Sequence, residues 1–140
     1  LACARETIGF QAMERQLHAV SPRKMVAVVD DDPAVRSSLQ FALEIEGYEV
    51  RIFGDGAELL IDPKITRFAC LIVDQNLPAL NGLELAQQLR ARSLLNPVIL
   101  ITSQPSESLR RRALAAGIPI VEKPLLGNTL VDTIQQVLGR

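Results

Sequence analysis

Apolar residues in this chain gather in short runs with little polar interruption. Met25–Val29 (MVAVV), Phe68–Val73 (FACLIV) and Pro97–Ile101 (PVILI) show no alternation, the pattern of strands buried on both faces in a parallel sheet flanked by helices. Tyr48–Phe53 (YEVRIF) alternates more and predicts a strand near a sheet edge, and Ile118–Glu122 (IPIVE) predicts a fifth strand. Between these runs apolar positions recur at helical spacing. Val35, Leu39, Ala42 and Leu43 line a helix from Pro33 to about Glu46, and Asp55–Ile61 is a short helix. Leu85, Ala86 and Leu89 turn inward from Leu83–Arg92, and Ser106–Ala116 forms the next helix. Leu126, Leu130, Ile134, Val137 and Leu138 line a closing helix over Leu125–Leu138. Asp32-Pro33 suits an N-cap followed by a proline in the first turn, and Gly47 suits a helix end. Five βα units with short, right-handed crossovers make an α/β fold, a doubly wound parallel sheet with helices on both faces.

Length and charge add limits. The 140 residues suffice for one domain with a real core. Acidic and basic residues nearly balance, at 16 and 15, so no broad electrostatic footprint for nucleic acid exists and direct nucleic-acid contact is not expected. No apolar run approaches the roughly 18–20 residues of a membrane span. Cys3 and Cys70 stand in unlike settings, without disulfide or metal spacing, which fits a reducing cytoplasm. Residues 1–24 are set apart as an N-terminal appendage or linker, with a short helical pattern at Ile8, Ala12, Met13 and Leu17, and 25–140 as the domain. His18 lies off that domain.

The polar residues that end the strands carry the chemistry. The first run ends on Asp30-Asp31, the third on Asp74, the fourth on Thr102-Ser103 and the fifth on Lys123. In a parallel sheet these ends share one edge, where open α/β folds place their sites. Three carboxylates there repel one another unless a cation sits among them. Oxygen donors without sulfur or imidazole suit a hard ion, Mg²⁺ or Mn²⁺. Asp74 is the candidate nucleophile. A phosphoryl group on it would be met by the metal, Lys123 and the Thr102 hydroxyl, while the backbone carbonyl of Asn76 could complete the metal shell. Each feature has a bland reading: Asp30–Asp32 as capping acids, Lys123-Pro124 as a surface turn. Their joint placement on four strand ends favours the site.

With VVDDDP, DQNLPALNG, ILITS and VEKP in this order and at this spacing, the chain resembles the receiver domain of two-component response regulators over about Met25 to Leu138. The resemblance implies a flavodoxin-like sheet of order 2-1-3-4-5. It implies that Asp30 and Asp31 hold Mg²⁺ with the Asn76 carbonyl, that Asp74 accepts phosphate from a histidine kinase or phosphotransfer protein, that Thr102 is the switch hydroxyl and that Lys123 contacts the phosphate. It further implies a homodimer on phosphorylation through the fourth helix, fifth strand and fifth helix. The wording of VVDDDP and VEKPL looks most like receivers preceding a helix-turn-helix output domain, hence control of transcription. One departure stands out: the family's usual Phe or Tyr switch, three residues before the lysine, is Ile120 here. Ile is restricted at χ1 and makes no ring swing, so either the signal passes through backbone shifts of the fourth helix or the usual output coupling is weakened. Gln75 and Gln104 fall where variable residues govern water access to the phosphoaspartate, and neither suits activation of that water, so slow to moderate self-dephosphorylation is expected. Arg110 and Arg111 lie on the fourth helix, as a solvated face or as part of the output surface.

Two rival readings stand beside this one. A phosphate-independent interaction module finds support in Ile120. A Mg²⁺-dependent aspartyl-phosphate hydrolase lacks an acid two residues after Asp74 and a cap insertion. The chain is thus expected to catalyse its own phosphorylation and dephosphorylation rather than turn over external substrates. Nucleotide binding lacks a Gly-rich loop after any strand.

Overall fold

The computed structural model describes residues 23–125 and 127–139. The helix expected around Ile8–Leu17, and Leu126 of the closing helix, lie outside the described residues. The elements run β1 (Met25–Val29), α1 (Pro33–Ile45), β2 (Glu49–Phe53), α2 (Gly56–Leu60), β3 (Cys70–Asp74), α3 (Gly82–Ala91), β4 (Val98–Thr102), α4 (Glu107–Ala115), β5 (Ile120–Glu122) and α5 (Thr129–Val137), with a 3₁₀ turn at Ile65–Arg67. All strand pairings are parallel and the sheet order is β2-β1-β3-β4-β5, as expected. Among the described residues, no helix is long and apolar enough to cross a membrane.

The two faces of the sheet feed two apolar layers. Ala27, Val29, Leu71, Val73 and Leu100 meet α2, α3 and α4 through Leu59, Leu83, Leu85, Leu89 and Leu109. Val26, Val28, Ile72, Ile99 and Ile101 meet α1 and α5 through Leu39, Leu43, Leu130 and Ile134. Strand alternation sends adjacent residues to opposite layers, so β1, β3 and β4 are apolar at every position short of Asp74 and Thr102, the last residues of β3 and β4. Burial of side chains such as Leu71 and Ile99 contributes about 1.5–3 kcal/mol each.

Helix starts and stops follow local chemistry. Asp32 accepts the Ala34 N–H and Pro33 opens α1, whereas Gly47, at φ 99°, takes the left-handed turn into β2. Asn81 and Glu84 form a reciprocal capping box at α3. Ser106 caps α4 by accepting the Leu109 N–H. Two expectations change. Ala42 is exposed rather than facing the core. The closing helix begins at Thr129, not Leu125, because the chain turns through Gly127 at φ 68° before helical geometry starts.

Gly82, the first residue of α3, has a steric task beside the end of β3. A Cβ there would lie 2.7 Å from Leu100 Cδ2, 2.9 Å from the Asp74 carbonyl oxygen and 3.0 Å from Gln75 Cα. Two of these neighbours are backbone and cannot rotate away. Gly82→Ala should therefore lower stability by about 1–3 kcal/mol, the cost of overpacking a rigid site. Urea unfolding measures it, and an unchanged midpoint would contradict this account.

Candidate functional site

The acids expected at the strand ends meet at the carboxyl edge of the sheet. β1 and β3 are adjacent, so Asp30 and Asp74 emerge side by side. Asp30 is fully buried and Asp74 is 4% exposed. Asp31 is exposed, yet each of the three acids offers an oxygen within 4.8 Å of the others. Lys123 arrives on the turn after β5, where its N–H donates to the Thr102 carbonyl at 2.8 Å. Its Nζ lies 3.3 Å from Asp30 Oδ2 and 3.5 Å from Asp74 Oδ2. Asp74 Oδ1 accepts the Asn76 N–H at 3.1 Å, and Asp30 Oδ1 accepts the Asp32 N–H at 2.9 Å.

Thr102 closes β4, almost fully buried, and its hydroxyl is 3.4 Å from the Ser103 carbonyl, a long and weak contact. Ile120 lies across from Leu100 in the sheet and packs, half-buried, against the layer under α2, α3 and α4. Arg110 and Arg111 are exposed on α4: Arg110 pairs with Glu122 and Arg111 sits 3.8 Å from Glu107. The expected role of Gln75 is corrected. Its side chain is buried and its Oε1 accepts the Leu83 N–H at 2.9 Å, so it ties β3 to α3 instead of facing water at Asp74. Asn76 and Gln104 are the exposed amides of these loops. Sequence reasoning also passed over Arg36, whose Nη1 donates to the Asp30 carbonyl at 2.7 Å. Its position one helical turn beyond the Asp32 cap was the available signal.

Electrostatics show an excess of negative charge. Burial pushes the Asp74 carboxyl above the usual carboxylate value. The Asn76 N–H opposes that, the Asp30 charge adds to it, and Lys123 opposes it without cancelling. Burial works against the Lys123 charge, but Asp74 and Asp30 together outweigh it and raise its pKa. One ammonium thus faces three carboxylates. The oxygen-only donor set and this surplus charge fit a hard divalent cation. Cys70 takes no part: burial raises its thiol to about 12.

The sign of the Asp74 shift sets a pH dependence. Its folded pKa lies above the unfolded value of about 3.8. Its contribution to stability is therefore fully present below that value and lost as pH rises through the folded pKa. At pH 7 without metal, Asp74→Asn should raise the melting temperature by a few degrees. The gain should shrink as pH falls toward the ordinary carboxylate range. Thermal unfolding followed by circular dichroism across pH tests this, and a lower melting temperature at pH 7 would show that pairing with Lys123 outweighs burial.

Comparison with known proteins agrees with this geometry. A family model described as the response regulator receiver domain matches residues 26–135. The response regulator MprA of Mycobacterium leprae is 36% identical over 116 residues, covering 82% of this chain and 51% of the relative. The transcriptional regulatory protein FixJ of Bradyrhizobium diazoefficiens is 30% identical over 114 residues, covering 81% of this chain and 56% of that protein. This chain thus spans about half the length of these curated relatives. Among solved structures, the chemotaxis protein CheY4 of Vibrio cholerae superposes with a TM-score of 0.75 at 30% identity, covering 83% of this chain and 99% of that one. The chain therefore belongs to the response regulator receiver domain family.

Proposed function

We propose that the chain is a phosphorylation switch in which Asp74 is the phosphoacceptor, and that it serves a longer cytoplasmic protein controlling transcription; the name of one relative, the transcriptional regulatory protein FixJ, supports the last part. The observation that carries the reading is the convergence of two buried carboxylates, one exposed carboxylate and one lysine on a single sheet edge. Mg²⁺, or Mn²⁺ in its place, would be held by Asp30, Asp31, Asp74 and the Asn76 carbonyl. When bound, it would supply positive charge to the phosphoryl oxygens.

The donor in this reading is the phosphohistidine of a histidine kinase or phosphotransfer protein. A carboxylate oxygen of Asp74 forms the new O–P bond as the P–N bond breaks. The imidazole nitrogen leaves with the electron pair and takes up a proton. Lys123, already within reach of the Asp74 oxygens, supports the charge of the transferring group. Thr102 stands at the adjacent strand end with a hydroxyl held only by a long contact, which leaves it free to turn toward a phosphoryl oxygen. Ile120 replaces the ring swing of other receivers, so output through Arg110, Arg111 and the surface of α4, β5 and α5 relies on backbone shifts of α4. A homodimer on that surface is the matching output state.

A labelled low-molecular-weight phosphodonor with Mg²⁺ should label the wild type, and Asp74→Asn should abolish incorporation. An equally labelled variant would overturn the assignment. Neither Asn76 nor Gln104 is a base suited to activating water. The phosphorylated chain should therefore lose its label slowly, and a half-life of a few seconds would contradict that.

A further inference from the structure

Two acids of the cluster are oriented by hydrogen bonds or ion pairs of their carboxylates, and the third is not. Asp30 accepts the Asp32 N–H and contacts Lys123, while Asp74 accepts the Asn76 N–H and contacts Lys123. Among the described residues, the Asp31 carboxylate has no hydrogen bond or ion pair, and its exposed side chain follows its backbone. What aims that backbone is the peptide plane between Asp30 and Asp31. The carbonyl of that plane, on Asp30, accepts from Arg36 Nη1 at 2.7 Å, and the plane before it is tied by the Asp30 N–H, which donates to the Phe53 carbonyl at 3.1 Å.

Arg36 is itself anchored at its backbone. Its backbone N–H donates to the Asp32 carbonyl at 3.0 Å, which closes a ring from Asp30 through Asp32 and back. Its Nη1 lies over Gly54, where even an added Cβ would stand 3.5 Å away. The Gly54 N–H donates to Glu58 Oε1 at 2.9 Å, joining the end of β2 to α2. Arg36 thereby holds the loop after β1 at the Asp30 carbonyl while its guanidinium lies beside the corner after β2.

We infer that Arg36 is a positioning residue for the cation site: it fixes the Asp30–Asp31 peptide so that the Asp31 carboxylate points into the cluster before any cation arrives. This rests on the phosphoacceptor reading above. Outer groups that orient ligands of a metal typically alter affinity by about 10–100-fold when removed.

The sign of the effect separates positioning from bare electrostatics. A positive charge near a cation site repels the cation, so deleting it should tighten binding. Deleting a brace should weaken it. Isothermal titration of the chain with Mg²⁺ alone, without phosphodonor, reads the difference. Arg36→Met should bind Mg²⁺ about 10-fold more weakly than the wild type, with little change in the unfolding midpoint. Arg36→Lys, which keeps a donor on a long stem, should recover part of the loss. A variant Arg36→Met that binds as tightly as the wild type, or more tightly, overturns the inference. So does equal weakening in both variants with lowered unfolding midpoints, which assigns the loss to the fold. A wild type that binds no Mg²⁺ would sink the underlying reading and this inference with it. A wild type that binds beside an indistinguishable Arg36→Met sinks the inference alone.

Discussion

Two carboxylates out of water, Asp30 and Asp74, share a single lysine at the carboxyl edge of the sheet. Burying charge is costly unless it is paired and hydrogen-bonded, and here the pairing is incomplete. The raised Asp74 pKa expresses that deficit. A surplus of negative charge in a low-dielectric setting is also what a divalent cation would relieve. The least comfortable electrostatic feature of the fold is its functional candidate, as is common where titratable groups are perturbed by burial and like charge.

The scaffold sustains this arrangement because it is rigid where the acids emerge. β1 and β3 are buried on both faces, so neither tip can withdraw without exposing core side chains. The start of α3 is locked against the end of β3: Gln75 accepts from Leu83, the Gly82 N–H donates to the Gln75 carbonyl, and Asn81 with Glu84 caps the helix. On the other side, the Asp30 N–H donates to the Phe53 carbonyl at the end of β2, and Arg36 holds the Asp30 carbonyl. Lys123 crosses from the far edge of the sheet, 93 residues from Asp30 in sequence, to reach both acids. Much of the chain length is thus spent bringing two oppositely charged groups together.

The α4–β5 edge is held less firmly. β5 is only Ile120–Glu122 and lies at the sheet edge. Its link to α4 through Glu122 and Arg110 is exposed, and exposed pairs contribute about 0–1 kcal/mol. A firmly held carboxylate cluster beside a loosely held α4–β5 edge suits the proposed phosphorylation switch. Ile120 packs against the layer beneath α4, where an aliphatic side chain has no ring to rotate.

The strand runs, their polar ends and the resemblance they carried made most of the candidate site legible in the sequence. Unbroken apolar runs have one stable home, a sheet covered on both faces, and the residue that breaks such a run must lie at its edge. Asp30, Asp74, Thr102 and Lys123 were visible for that reason. Where the reading slipped, nonlocal packing decided. Gln75 directly follows Asp74, and only the approach of α3 turned its amide to the Leu83 N–H. The pattern from Leu125 onward suited a helix, but the turn at Gly127 delayed it to Thr129. By itself the sequence determined the element order, the two-faced burial of the central strands and the identity of the charged groups, because these follow from local periodicity. Tertiary structure alone decided that one lysine reaches both buried acids, that Asp74 remains undercompensated and that Arg36 returns to the Asp30 carbonyl. Distances and desolvation depend on residues that meet only when the sheet closes.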